Sequence, residues 1–434
     1  MGDAEGAAAG HFFFPPVEKV RGNVLAVRYV KSVPRWLLLK ALGRRFRGLC
    51  TSRLSPVELA DVPEPKLPGP NWVRVRPRLS GICGSDLASI TAEGSPFFAP
   101  LTSFPFVFGH EVVGTITEVG DAVRGARVGD RVVIEPVLHC GVRGIGEPCV
   151  ACREGRTGNC TNVAAGGLSA GVQTGYCRDT GGGWSPSLVA HELQLHAVPE
   201  EMADEAAVLA EPFSCALHGV LRALPEGKNG HILVIGCGTM GLLTIASLRA
   251  LDVPCRIVAL AKHSHQQELA HTLGADELIA PGRGAYEQLC KLTGATLHYP
   301  ELGRPTVLGG FDVVFDCVGS PRSVDDALRF TRARGRTLLV GMPSIPKTVD
   351  WTTIWYKELE VRGTYTYGME DVAGERLRTF TLALRLLARG RPDLRPLVTH
   401  RFPLPQYRDA IRTALDTGRS GSIKTVFDLT GGPP

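Results

Sequence analysis

The sequence lacks any apolar run long enough to cross a bilayer. No stretch of its 434 residues approaches the roughly 20 consecutive apolar residues that a transmembrane helix needs. The segment 1–16 (MGDAEGAAAGHFFFPP) carries acids where a secretory signal peptide has lysine or arginine, and its apolar run is short. We therefore expect a cytoplasmic protein.

Excess charge of one sign is also scarce over most of the chain. The formal net charge of +5 comes from residues 1–60, which hold ten Lys/Arg against four Asp/Glu, and the remaining residues sum to about −1. Residues 61–434 have no excess of basic residues, which argues against nucleic acid as a partner. The sequence also has no internal repeat and no low-complexity segment, which argues against a solenoid and a disordered chain.

The 12 cysteines do not form the dense pattern of a small secreted scaffold. They are spread over a long chain, and four of them fall at metal-ligand spacing. A reducing compartment fits this usage better than an oxidising one.

Two regions differ in their hydrophobic pattern. Residues 70–200 contain short alternating runs such as WVRVRP and VVGTITEVG between Gly/Pro/Asp turns, which predicts a compact β-rich unit. Residues 214–366 alternate apolar runs (HILVIG, RIVALA, FDVVFDCVG, RTLLVGM) with helical segments, which predicts βαβ units on a parallel sheet. Two more helices and a final strand, SIKTVFDL, follow residue 370.

Two segments look inserted. Residues 31–54 form a basic amphipathic stretch, in which one helical arc contains Trp36, Leu39, Leu42, Phe46 and Leu49, and another contains Lys40, Arg44 and Arg47. We expect a helix docked on its own protein, with membrane contact through 34–49 as the less favoured alternative. Residues 296–310 are expected to form a surface loop.

The run HILVIGCGTMG places Gly236, Gly238 and Gly241 at G-x-G-x-x-G spacing between a β-branched strand and a helix. In a dinucleotide site the first glycine permits a tight turn, the second lets the backbone approach a pyrophosphate, and the third lets helix and strand pack closely. Glycine-rich turns also occur by chance. We predict a dinucleotide site here because these glycines lie between a strand and a helix.

Cysteine and histidine occur in two sets with metal-binding chemistry. The first set consists of four cysteines at C-x8-C-x2-C-x7-C spacing in a glycine-rich stretch: Cys140, Cys149, Cys152 and Cys160. Four thiolates close a tetrahedral zinc shell, so this site is structural. The second set, Cys83, His110, Glu111 and Glu211, is dispersed, and each member alone has an ordinary structural explanation.

Several motifs in order resemble the zinc-containing medium-chain dehydrogenases, and most nearly the sorbitol, threonine and glucose dehydrogenase branch. The motifs are CGSD, GHEVVGTITEVG, VGDRV, EPFSCALHG, FDVVFDCVGSP, GRTLLVGMP, LEVRGTYTYG and GSIKTVFDL. The resemblance covers residues 55–430 and implies an α/β protein. It implies a GroES-like catalytic domain over residues 1–212, which include the structural-zinc lobe, and a return of the chain to that domain over residues 367–434. A Rossmann domain (213–366) that binds NAD or NADP lies between these two parts.

The resemblance also implies roles for single residues. Cys83, His110 and either Glu111 or Glu211 bind a catalytic zinc. Ser85 relays the proton of an alcohol, polyol or sugar substrate, and Asp86 steadies the metal shell.

The other implied roles concern the cofactor and the quaternary state. Lys424 reaches the cofactor pyrophosphate. Ala261 ends the strand RIVALA where NAD-linked relatives have an acid, and Lys262 follows it, so NADP is the preferred cofactor. A homo-oligomer is typical of the family.

The sequence departs from the family pattern at two places. Eight residues separate Cys140 from Cys149, where many relatives have two, which leaves the shape of that lobe open. Ala88 stands where many relatives have a histidine that passes the proton to solvent. Three alternatives remain: a zinc-free quinone or enoyl reductase of the same family, a non-catalytic binding protein on the same fold, and membrane recruitment through the basic helix near residue 40 as the main role.

Overall fold

The structure, a computed structural model, describes residues 22–224, 230–282 and 284–431. Residues 1–16, which we expect not to be a signal peptide, lie outside the described residues. No helix within the described ranges combines the length and the apolar character that crossing a membrane requires.

The first part of the chain is rich in short strands. Its elements are β1 (Asn23–Tyr29), α1 (Val33–Leu42), β2 (Val57–Pro63), β3 (Trp72–Gly81), α2 (Gly84–Ile90), β4 (Phe106–Val107), β5 (Val112–Val119), β6 (Arg131–Ile134), α3 (Val150–Arg153), β7 (Leu188–His191), β8 (Leu195–Ala197), α4 (Asp204–Ala207) and α5 (Ala210–Ala223). The 3-10 helices here are Arg47–Thr51, Pro96–Leu101, Thr157–Asn159 and Glu192–Gln194.

The middle part alternates strands and helices, as its sequence pattern predicts. Its elements are β9 (Gly230–Ile235), α6 (Thr239–Ala250), β10 (Cys255–Leu260), α7 (Ser264–Thr272), β11 (Glu277–Ile279), α8 (Ala285–Thr293), β12 (Thr296–His298), β13 (Thr306–Leu308), β14 (Phe311–Asp316), α9 (Pro321–Phe330), β15 (Thr331–Leu339), α10 (Thr352–Tyr356) and β16 (Glu360–Gly363).

The last part returns to the β-rich region. Its elements are β17 (Met369–Val372), β18 (Glu375–Arg378), α11 (Thr379–Ala388), β19 (Val398–Phe402), α12 (Tyr407–Leu415), α13 (Thr417–Ser420) and β20 (Lys424–Asp428), with 3-10 helices at Arg395–Leu397 and Leu404–Gln406.

The six-stranded sheet has the order β11-β10-β9-β14-β15-β16 and is parallel throughout. This is the strand order of a Rossmann dinucleotide fold, in which ligands bind at the carboxyl ends of the strands where the order reverses. Ile232, Leu233 and Val234 of β9 are fully buried, because helices cover both faces of the sheet. The predicted α/β class is confirmed.

The seven-stranded sheet combines both ends of the chain. Six strands follow the order β19-β20-β3-β5-β6-β8, and β7 pairs with β3. The antiparallel pairing of β20 with β3 brings the C-terminal strand beside the N-terminal ones. A small sheet, β2-β1-β4, completes this region.

The domain boundaries stay a prediction. The boundary placed between residues 212 and 213 falls inside α5, a continuous helix in which Phe213 and Leu217 are fully buried. The boundary after residue 366 falls in the loop between β16 and β17.

The two inserted segments differ from their sequence descriptions. The single amphipathic arc predicted for 31–54 is broken, because α1 ends at Leu42 and a turn separates it from the 3-10 helix Arg47–Thr51. Residues 296–310 are not an irregular loop: β12 and β13 pair as an antiparallel hairpin. Arg304 anchors this hairpin to Asp325 and Asp326 of α9.

Candidate metal and dinucleotide site

Cys83 occupies the junction between β3 and α2 as the N-cap residue of the helix. Its backbone N–H donates to Asp86 Oδ2 at 3.0 Å, and Asp86 is completely buried. This capping arrangement satisfies free backbone donors of the helix and holds the Cys83 thiol at the start of α2.

His110 and Glu111 immediately precede β5, whose Val112 pairs with Ser80 of β3. This register places both side chains beside Cys83. The ligand atoms of Cys83, His110 and Glu111 all lie within 4.8 Å of one another. Gly81 makes the approach feasible, because a Cβ there would lie 1.8 Å from Glu111 Oε2.

The imidazole of His110 lies between Asp86 and Ser85. Nδ1 lies 3.5 Å from Asp86 Oδ1, and Nε2 lies 3.4 Å from Ser85 Oγ. Burial lowers the pKa of His110, but the negative charges of Asp86 and Cys83 outweigh burial and raise it to about 10. A cation is therefore favoured at this position, and a divalent metal would replace the proton.

The two glutamates that compete for the ligand role have different partners. Glu111 is 1% exposed and accepts hydrogen bonds from Lys424 Nζ at 2.8 Å on each carboxylate oxygen. Glu211 is buried at the start of α5 and accepts from the Cys215 thiol at 3.5 Å. Burial raises the pKa of Glu211 to about 7, with Glu111 adding to the effect and His110 opposing it. Of the two, only Glu111 belongs to the compact set with Cys83 and His110.

Lys424, which the family resemblance assigns to the cofactor pyrophosphate, contacts Glu111 in this structure. Successive side chains of a strand point to opposite faces. The backbone carbonyl of Ile423 accepts from Thr239 Oγ1 at the start of α6 (2.7 Å), but the Lys424 side chain runs into the interior to Glu111 and the Ile82 carbonyl. The Lys424 ammonium therefore lies at the predicted metal site, and its contact with a cofactor pyrophosphate stays a prediction.

Tyr176, Ser89 and Cys215 are residues of this site that the sequence did not reveal. The Tyr176 hydroxyl lies 3.3 Å from Asp86 Oδ1 and 3.4 Å from Ser89 Oγ, and it is also within hydrogen-bonding reach of Ser85. Tyr176 lies 87 residues from Ser89 in the chain, so only the fold brings them together. No spacing or motif could have identified the contact.

The four predicted structural ligands form one cluster. Among the sulfur atoms, Cys140 Sγ lies 3.6 Å and Cys149 Sγ 4.0 Å from Cys160 Sγ. A tetrahedron of thiolates around zinc has edges of about 3.8 Å, given Zn–S bonds of about 2.3 Å. The separations therefore fit a zinc shell and are far too long for a disulfide.

Hydrogen bonds to the sulfurs support the same interpretation. The backbone N–H of Cys149 and the side-chain amide of Asn162 both donate to Cys140 Sγ at 3.3 Å. Burial opposes ionisation of Cys149, but hydrogen bonds with Thr161 and Cys152 lower its pKa to about 6. Donors directed at sulfur stabilise the thiolate form that binds metal. The long gap between Cys140 and Cys149 does not prevent closure.

The glycine-rich turn has the geometry that a dinucleotide requires. Gly236 has φ +87°, and a Cβ there would lie 2.2 Å from Val318 Cγ2. A Cβ on Gly241 would lie 1.9 Å from the Gly236 carbonyl oxygen, whereas one on Gly238 would meet no atom within 4 Å. Gly238 therefore faces open space at the N-terminus of α6, where a pyrophosphate binds.

The end of β10 carries no acid. Ala261 is buried, and Lys262 and Ser264 are exposed at the start of the following turn and helix. Nothing at this position would repel a 2′-phosphate on the adenosine ribose.

Two family models match the chain. One, described as the alcohol dehydrogenase GroES-like domain, matches residues 69–200, and the other, described as zinc-binding dehydrogenase, matches residues 239–386. The chain is 32% identical to sorbitol dehydrogenase of Arabidopsis thaliana over 88% of this chain and 93% of that protein. It is 31% identical to L-idonate 5-dehydrogenase of Vitis vinifera over 92% of this chain and 95% of that protein.

The fold also resembles solved structures. An alcohol dehydrogenase from Escherichia coli CFT073, solved in complex with NADH, superposes with a TM-score of 0.70 at 23% identity, covering 94% of this chain and 99% of the other. At this identity the likeness concerns the fold alone.

Proposed function

Since the chain belongs to the zinc-binding alcohol dehydrogenase family, we propose that it transfers a hydride between an alcohol, polyol or sugar and NAD(P), working in the cytoplasm. The observation that carries this proposal is the convergence of Cys83, His110 and Glu111 beside the Ser85 hydroxyl. All 12 cysteines are free, as a reducing compartment requires.

The donor set fits zinc. A thiolate, an imidazole and a carboxylate are zinc ligands, and three protein ligands leave one position open. Zinc bound there supplies a Lewis acid that polarises the substrate oxygen and favours loss of its proton. Cys83 and His110 are the constant ligands of the proposal. Glu111 is the third candidate by proximity. Glu211, whose carboxylate accepts a hydrogen bond from the Cys215 thiol, is the alternative.

Other residues of the site are proposed to transfer the proton of the substrate hydroxyl and to support the metal ligands. Ser85 is the residue that would accept the proton of the substrate hydroxyl and pass a proton onward, and a nicotinamide cofactor bound at this site would supply the hydride acceptor. Asp86 lies 3.5 Å from His110 Nδ1 and accepts a hydrogen bond from Tyr176, so in this proposal its negative charge supports the imidazole as a metal ligand. Tyr176 and Ser89 provide hydroxyls beside Ser85, in the region where Ala88 supplies no imidazole.

The residues of the glycine-rich turn would hold the cofactor in this proposal. Gly236, Gly238 and Gly241 admit the pyrophosphate to the N-terminus of α6. Lys262 provides a positive charge near the adenosine ribose, so NADP is preferred over NAD.

Aromatic side chains narrow the substrate class. Phe98 is 40% exposed and stacks on Tyr365 at a centroid distance of 6.3 Å. Burial raises the pKa of Tyr365, and the negative charges of Cys215, Glu211 and Cys83 add to the effect. We propose that this aromatic pair favours secondary alcohols with an apolar substituent over fully hydroxylated sugars.

A homo-oligomer through β16 belongs to the same proposal. This strand is the edge of the parallel sheet, and edge strands expose backbone donors and acceptors to a second chain. Trp351 and Trp355 of the preceding segment are 55% and 70% exposed. Sedimentation should show a dimer or larger assembly that Trp355→Glu weakens.

A turnover screen tests the function. Secondary alcohols, polyols and sugars are offered with NAD and with NADP, and absorbance of the reduced cofactor is followed on zinc-loaded protein. Activity on quinones or enoyl substrates that survives chelation would favour the zinc-free reductase. Cofactor and zinc binding with no turnover on any substrate would favour a binding protein.

A further inference from the structure

The segment between β1 and β2, residues 31–54, has no role in the proposed reaction. We call it the basic segment. It contains no acid, and its seven cations are Lys31, Arg35, Lys40, Arg44, Arg45, Arg47 and Arg53. This charge stands out because residues 61–434 have a small net negative charge.

One side of the basic segment is docked on the protein. Leu39 and Cys50 are 1% exposed and belong to the core cluster of the small sheet, and Trp36 packs against the same cluster. Gly43 is the C-cap of α1, where its backbone N–H donates to the Leu39 carbonyl and a Cβ would lie 2.6 Å from that oxygen. The segment is therefore an ordered part of the fold.

The basic segment also carries several apolar side chains that are exposed to solvent. Val33 and Leu37, one helical turn apart on α1, are 59% and 54% exposed, and Leu42, Phe46 and Leu54 are 41%, 57% and 51% exposed. Single exposed apolar residues need no explanation, but five within one segment mark an interaction surface.

The cations of the basic segment are not neutralised locally. Within the part of the chain that the structure describes, its one ion pair joins Arg44 to Glu93 at 3.5 Å, and both side chains are largely exposed. Arg35, Lys40 and Arg47 donate to backbone carbonyls, which leaves their charge uncompensated.

We propose that the basic segment binds the surface of an anionic lipid bilayer. Apolar side chains flanked by lysine and arginine suit the interface, where the former enter the acyl boundary and the latter contact anionic headgroups. Nucleic acid would engage the cations but not the exposed Leu37 and Phe46. A second copy of the segment would bring two positive surfaces together. The ten residues of α1 lie on the bilayer and do not span it.

Vesicle sedimentation of the full chain tests the proposal. Vesicles of phosphatidylcholine with about 30% phosphatidylglycerol should pellet the protein, and pure phosphatidylcholine vesicles should bind it at least about tenfold more weakly. Leu37→Gln and Phe46→Gln should each weaken binding by about tenfold or more, since each removes an apolar side chain from the acyl boundary. Arg45→Gln and Arg53→Gln should each weaken it by about fivefold and reduce its salt dependence.

Matched controls separate this surface from general effects. Leu302 is 90% exposed in the distant hairpin loop, so Leu302→Gln should bind vesicles as the wild type does. Thermal unfolding should be unchanged in all these variants. Absence of pelleting on anionic vesicles, or equal loss in Leu302→Gln and Leu37→Gln, would overturn the proposal. Self-association that Leu37→Gln abolishes, without vesicle binding, would assign the surface to a second copy instead.

Discussion

The buried pair between Lys424 and Glu111 offers a decisive test of how the predicted metal site is built. Lys424→Met removes the ammonium and leaves the Glu111 carboxylate without its main partner in the interior. Both side chains are at most 3% exposed, so water cannot replace the lost contact. We expect a large loss of stability and only a small change in cofactor affinity.

The magnitude follows from the geometry. At 2.8 Å and an effective dielectric constant of about 20, the Coulomb attraction amounts to about 6 kcal/mol before desolvation is subtracted. Breaking buried pairs by removing one partner typically costs about 3 to 5 kcal/mol. The free energy of unfolding of chelated Lys424→Met should fall by that amount, since bound zinc would give Glu111 another positive partner.

Urea denaturation of the zinc-loaded and the chelated protein measures this loss. The double variant Lys424→Met/Glu111→Gln is the control, because it leaves no uncompensated charge. It should recover most of the lost free energy, with a coupling of about 2 kcal/mol or more between the two sites. Recovery in the chelated protein would show that the coupling does not depend on zinc.

Steady-state kinetics tests the alternative that Lys424 contacts the cofactor. If Lys424 instead contacts the cofactor pyrophosphate, loss of a charged hydrogen bond of about 1.5 to 3 kcal/mol would raise KM for NAD and NADP by about tenfold or more. An unchanged unfolding free energy combined with such a rise would refute the role assigned here to Lys424.

Four further predictions concern separate parts of the molecule. Metal analysis should find two zinc ions per chain, with Cys149→Ser lowering thermal stability and Cys83→Ser abolishing turnover in a folded protein; one zinc or fewer in active enzyme would contradict this. Ser85→Ala should reduce kcat by about 100-fold or more, since general acid-base groups contribute at least that much, and near-normal turnover would remove Ser85 from the mechanism. Ala261→Asp should lower kcat/KM for NADP by about 10-fold or more without impairing NAD use, because the new carboxylate repels the 2′-phosphate; unchanged NADP use would refute the assignment. Burial lowers the pKa of Lys357 from 10.5 to about 8. Between pH 8 and 10.5 the unfolded chain retains a proton on Lys357 that the folded chain has lost, so the free energy of unfolding should rise with pH by up to about 3 kcal/mol. Urea titrations at several pH values measure this rise, and Lys357→Met should not show it.

The sequence alone determined the features that depend on local pattern. The alternation of apolar runs and helical segments predicted the parallel sheet, because strands buried on both faces must be apolar throughout. The glycine spacing predicted the turn before α6, and the cysteine spacing predicted one four-thiol cluster, because each depends on residues close in the chain.

Only the tertiary structure decided the features that depend on distant partners. Lys424 and Glu111 are 313 residues apart, and the pairing of β20 with β3 brings them together. The family pattern indicated a basic residue at 424 but not the direction of its side chain, which alternates between the faces of a strand. Tyr176 reaches Asp86 through the same long-range packing. Which side chains of the basic segment are exposed also depends on where α1 ends and how it docks. The sequence pattern predicted one helical arc continuing past residue 42, so it did not reveal them.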